Sequence, residues 1–163
     1  MKKLVIFYSL DGNTRMIAEK ITERTGADLL ELKTEKEITR NNFLKIFEGG
    51  KQAILKARPK LLKFDFDVEK YDLIFFGTPV WAWTYAPALR TFFSEHTLQN
   101  KKIALFYCHG GGPGNFADKF KDTLKDNRIL GIIGFKDPIK NDKENNILKL
   151  QEWTDKIMRT ADQ

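Results

Sequence analysis

Strand-length apolar runs alternate with segments of helical period along most of the chain, and this alternation restricts the fold more than any other feature of the sequence. Residues 3–8 (KLVIFY), 72–77 (DLIFFG) and 102–108 (KIALFYC) are nearly continuous apolar runs, as strands covered on both faces must be. Residues 27–33 (ADLLELK) partly alternate, which suits an edge strand, and 128–135 (RILGIIGF) reads as a fifth strand weakened by Gly131 and Gly134. Between them, residues 13–25 put Ile17, Ala18 and Ile21 on one stripe and stop at Gly26, while 86–96 open with Pro87 and carry Leu89, Phe92 and Phe93. Residues 115–126 offer Phe116, Phe120 and Leu124. A last helix over 142–160 follows Asn141 and Glu144 in capping-box spacing and turns Ile147, Leu150, Trp153 and Ile157 inward. Strands and helices in this order predict an α/β fold on a parallel sheet.

The rhythm breaks between 34 and 71. Phe43, Ile46, Phe47, Ala53, Ile54 and Ala57 keep helical spacing over 41–58, but Gly49 and Gly50 interrupt it at about 2 kcal/mol against alanine, so a kink or break is expected before Arg58-Pro59. No repeat or linker divides the 163 residues, which predicts a single domain over 1–163. With 42% hydrophobic residues the chain can fill a core, and disorder is not expected. One cysteine, Cys108, excludes an internal disulfide, and with two histidines it excludes a multi-cysteine zinc site. A reducing cytoplasm fits that usage. The apolar patch after Lys2 and Lys3 is too short for a signal peptide or a membrane span, so a soluble protein is expected. The net charge of +6 is spread among acidic residues and reads as a mixed-charge surface, with neither nucleic acid nor membrane as partner.

In a parallel sheet the loops leaving the C-terminal ends of the strands share one edge, where open α/β sheets bind ligands. Three such loops carry distinct chemistry. SLDGNT, residues 9–14, places Gly12 between Ser9, Asp11, Asn13 and Thr14 at a helix start, which suits either a phosphate on free amides or an ordinary capped turn. TPVWAWTYAP, residues 78–87, holds Trp81, Trp83 and Tyr85, as stacking faces or as core. HGGGPGNF, residues 109–116, exposes backbone suited to the polar edge of a heterocycle, or is a flexible turn. Cys108 and His109 are neighbours at a strand end and project to opposite faces, so they do not form a catalytic pair. Together the loops describe a ligand with a phosphate tail and a flat, hydrogen-bonding ring, and flavin mononucleotide (FMN) has those parts.

These motifs resemble those of the flavodoxin family: SLDGNT its phosphate loop, GTPVWAWTYAP its first isoalloxazine loop and CHGGGPGNF its second, in an element order that covers nearly the whole chain. The resemblance implies a three-layer sandwich on a five-stranded parallel sheet in order 2-1-3-4-5, non-covalent FMN and electron transfer between redox proteins. It implies that Ser9, Leu10, Asp11, Gly12, Asn13 and Thr14 hold the phosphate. Thr78, Pro79, Val80, Trp81, Ala82 and Trp83 would line one side of the ring, with a carbonyl near Ala82 accepting from flavin N5 after one-electron reduction. Cys108, His109, Gly110, Gly111, Gly112, Gly114 and Asn115 would bind the pyrimidine edge. A monomer with redox-protein partners is expected.

The chain departs from the family pattern in five ways. Asp11 stands where a hydroxyl is usual and is expected to turn outward or cap its own loop. The third loop lacks a tyrosine to cover the ring, leaving Trp83, Tyr85 or Phe116 to do so or that face open. The 34–71 connection is long, and the final strand lacks the long insertion of the family's larger members. The chain is also basic where the family is mostly acidic, which predicts an acidic partner and a less negative couple for the fully reduced flavin. Two other functions remain open: a flavodoxin-like NAD(P)H:quinone oxidoreductase, and a flavin-free interaction module using the aromatic loop.

Overall fold

The apolar runs form the inner strands of a parallel sheet in the computed structural model, which describes residues 1–36 and 57–163. Strand β1 (Lys3–Phe7), β2 (Asp28–Glu31), β3 (Leu73–Trp81), β5 (Lys102–His109) and β6 (Arg128–Lys136) lie in the order β2-β1-β3-β5-β6, all parallel. A two-residue β4 (Thr84–Tyr85) pairs antiparallel with β3, off this path. Leaving β4 aside, the order is the expected 2-1-3-4-5. The expected helix over 41–58 lies almost entirely outside the described residues. On either side of it, Glu35 N–H donates to Lys60 O at 2.9 Å and Leu62 N–H to Lys33 O at 2.8 Å.

Alternate strand residues face opposite sides, and the two sides are separate cores. Leu4, Ile6, Ile74, Phe76, Ile103 and Leu105 join helices α2 (Pro87–Glu95) and α3 (Phe116–Thr123) through Leu89, Phe92, Phe116 and Phe120. Val5, Phe7, Leu73, Phe75, Ala104 and Phe106 join α1 (Asn13–Thr25) and α4 (Lys143–Ala161) through Ile17, Ile21, Leu150 and Ile157. Helix, sheet and helix thus form three layers. The strand read as weak is the edge strand β6, where an extra residue shifts the register between Ile103 and Ala104. Its Gly134 leaves room for the Tyr107 ring, 2.3 Å from where a Cβ would stand.

Three expectations need correcting. β3 does not end at Gly77 but runs to Trp81, because β5 continues beside it as far as Pro79↔Cys108 and β4 then pairs with Val80 and Trp81. β1 stops at Phe7↔Gly77, so on that side Pro79 lies on an unpaired edge, where proline is tolerated. The last helix is capped by Asp142, whose side chain accepts from Asn145 N–H, rather than by Asn141. Ile147 is only half-buried.

Candidate functional site

Between β1 and α1 the chain turns through Gly12 at φ 89°, a left-handed conformation natural to glycine. Gly12 offers no side-chain cap, so the first amides of α1 find partners from its neighbours. Asp11 Oδ1 accepts from Asn13 N–H at 3.1 Å and Oδ2 from Asn13 Nδ2 at 2.9 Å, so Asp11 caps its own loop. Ser9 Oγ accepts from Arg15 N–H at 3.2 Å. The Thr14 hydroxyl is buried without a well-formed hydrogen bond.

The second loop is a hairpin. Trp81 pairs with Thr84 across Ala82 (φ 47°) and Trp83 (φ 58°), two consecutive left-handed residues as in a type I′ turn. Thr78, fully buried, clasps its root: its Oγ accepts from Ala86 N–H at 2.9 Å, so this side chain ties the loop rather than lining it. Trp81 is buried with its ring edge-on to Tyr8 at 5.6 Å. Trp83 is 54% exposed and lies on Gly114, so close that a Cβ there would fall 2.4 Å from Trp83 Cδ1. Tyr85 is core: it packs on Phe93 and Phe120 and shares a hydrogen bond with Thr123 at 3.0 Å. Phe116 is buried against Tyr107 and Phe120. Of the three candidates to cover a ring, only Trp83 is exposed.

In the third loop Cys108 points into the α1–α4 core while His109 lies near Tyr107, 6.0 Å between ring centroids, on the other side. The two side chains face apart, as adjacent strand residues do. Burial pushes the Cys108 thiol up to about 12, against a smaller opposing effect of the Thr14 hydroxyl. His109 Nδ1 lies 3.1 Å from Gly111 O. Gly110, Gly111, Gly112, Gly114 and Asn115 are exposed, with Gly114 left-handed at φ 54°.

One cleft of about 200 Å³ gathers all three loops: Leu10, Asp11 and Asn13 from the first, Pro79, Val80 and Trp81 from the second, Cys108, His109 and Gly110 from the third. Ser9, Gly12, Thr14, Thr78, Ala82, Trp83, Gly111, Gly112, Gly114 and Asn115 flank it in sequence without lining it. Roomier hollows of about 420 and 640 Å³ lie at the opposite edge, around Lys102 and Arg128. Position outweighs size here, because open α/β sheets bind ligands beyond the C-terminal strand ends, where strand order reverses.

The tenth lining residue, Asp137, was not read from the sequence. It follows β6, so the loop rule applied to the other strands would have included it. Its carboxylate lies near Gly110, 3.4 Å from where a Cβ would stand, and its φ is 40°. Two residues on, Ile139 N–H donates to Asn13 Oδ1 at 3.1 Å, joining this fourth loop to the first. The donor set fits the FMN implied by the motifs: the start of α1 favours an oxyanion, the buried Thr14 hydroxyl in its first turn has only the Cys108 thiol beside it, and two indoles stand nearby. Among the described residues no cluster of three or more His, Cys, Asp or Glu could hold a metal ion.

The chain is 28% identical over 124 residues to a flavodoxin of Haemophilus influenzae, covering 73% of this chain and 56% of that one. It is 29% identical over 137 residues to the flavodoxin-like domain-containing protein BilS of Clostridioides difficile, covering 80% and 63%. It therefore spans less than two thirds of these curated relatives. A Lactobacillus acidophilus flavoprotein, solved in complex with FMN, superposes with a TM-score of 0.71 at 25% identity, over 88% of this chain and 98% of that one. The family model described as flavodoxin matches residues 2–157, taking in all three loops and every layer of the sandwich, and the chain belongs to that family.

Proposed function

We propose that this chain binds FMN at the C-terminal edge of its sheet and carries electrons between redox proteins. The observation that carries the reading is the convergence of the three loops on one cleft beside the start of α1. Membership of the flavodoxin family and the FMN complex of the L. acidophilus relative support the cofactor.

When bound, FMN supplies the redox chemistry, and the protein contributes placement and field. The α1 amides with Ser9, Gly12, Asn13 and Thr14 hold the phosphate. Trp81 and Trp83 give the ring its apolar faces, with Pro79 and Val80 beside them. The backbone from Cys108 to Asn115 meets the pyrimidine edge, unobstructed by side chains at its glycines. No residue of the cleft acts as general acid or base in this reading: the Cys108 thiol stays protonated at neutral pH and faces the core. The basic balance favours acidic redox partners. One unpaired cysteine suits a reducing cytoplasm, and no helix among the described residues is long and apolar enough to cross a membrane.

The test is a titration of the purified protein with FMN. One-to-one binding is expected, weakened by Trp81→Ala and Trp83→Ala by about tenfold or more each and less by Tyr85→Ala, which disturbs the core. A colourless protein that takes up no FMN refutes the reading. Steady NAD(P)H oxidation with a quinone and no separate reductase would replace the carrier with an oxidoreductase.

A further inference from the structure

We propose that Asp11 sets which flavin this site takes: its carboxylate already accepts from the first amide of α1, so the site discriminates weakly between FMN and riboflavin, the same ring without a phosphate. This rests on the flavin reading above.

Both Asp11 oxygens are committed, Oδ1 to Asn13 N–H at 3.1 Å and Oδ2 to Asn13 Nδ2 at 2.9 Å. The cradle is rigid, since Asn13 is 6% exposed and its Oδ1 is held by Ile139 N–H from the loop after β6. An aspartate thus takes one of the helix-terminus amides that a bound oxyanion would use. Among the described residues no cation pairs with it. Arg15, in the first turn of α1, is turned to Glu31 at 2.5 Å. Asp137 adds a second carboxylate to the same cleft.

A phosphate dianion arriving at these amides has two courses. It settles beside the carboxylate, at the cost of like-charge repulsion, or it displaces the carboxylate from its two bonds to Asn13. Either penalises the phosphate and leaves ring binding untouched, whereas the neutral ribityl chain of riboflavin meets neither penalty. Asp11 is solvent-exposed, and water screens part of the repulsion, which keeps the expected effect moderate.

The experiment measures Kd for FMN and for riboflavin with the full chain, as wild type, Asp11→Asn and Asp11→Ser, each checked for native circular dichroism. FMN binding is expected to tighten about tenfold in both variants, as removal of one partly screened like charge predicts, with riboflavin binding nearly unchanged. Folded variants that keep the wild-type FMN-to-riboflavin ratio overturn the proposal. So does a wild-type preference for FMN above about a hundredfold, roughly 2.7 kcal/mol, with no variant needed. If neither flavin binds the wild type, the flavin reading itself is overturned, a result distinct from binding of both with an unchanged ratio.

Discussion

Ala82 and Trp83 sit side by side in the left-handed region, which costs an L-residue with a Cβ roughly 1–2 kcal/mol each. Replacing Ala82 with glycine relieves the strain but adds chain entropy to the unfolded state, so Ala82→Gly is expected to stabilise the fold by about 0.5–1 kcal/mol, read as a higher Tm. A lower Tm would mean that this turn is not strained. Cys108 offers a pH-dependent readout. Its folded value is raised from the ordinary 9.0 to about 12, so folding favours the protonated thiol. Its contribution is complete below about pH 9 and is lost as pH rises towards 12. Cys108→Ala is therefore expected to flatten the alkaline limb of the stability profile, and native Cys108 to resist iodoacetamide until denaturant is added.

At the scale of elements, β1, β3 and β5 were legible because strands covered on both faces must be apolar throughout, and α1 because Ile17, Ala18 and Ile21 share one face above Gly26. The β3–β4 hairpin was not. Its turn is Ala-Trp where hairpin signals call for Asn-Gly or Asp-Gly, and the proline before it argues against a strand. Pairing with β5, contributed from elsewhere in the chain, keeps Thr78 and Pro79 extended, and β4 then holds Val80 and Trp81. The site was legible as three loops, yet not as a lining. Thr78 and Trp81 lie in one motif, and tertiary packing makes one a clasp and the other a wall. Thr78→Val keeps the shape and removes the acceptor for Ala86 N–H. It is expected to destabilise the protein by about 1–3 kcal/mol and to weaken flavin binding indirectly; an unchanged denaturation midpoint would show that the clasp carries no weight.

For the whole molecule, the net charge of +6 favours a less negative couple for the fully reduced, anionic flavin. The placement of charge opposes this. Exposed lysines and arginines more than about 10 Å away are screened at ordinary salt, while Asp11 and Asp137 line the cleft itself. The near carboxylates should therefore outweigh the distant surplus. Asp137→Asn is expected to raise the potential of the last reduction step by about 1 kcal/mol, on the order of 40 mV for one electron. Ionic strength should move it far less. A strong salt dependence with no effect of Asp137→Asn would return control to the surface.

The hairpin also separates two jobs along the chain. Its base is riveted by Thr78 and by Tyr85, which belongs to the interior, whereas its crown, Ala82 and Trp83, touches the rest of the protein through an indole resting on Gly114. Such a crown can be lengthened, shortened or rewritten without disturbing the layers beneath, so changes in what approaches the cofactor should accumulate there while the foundations stay put.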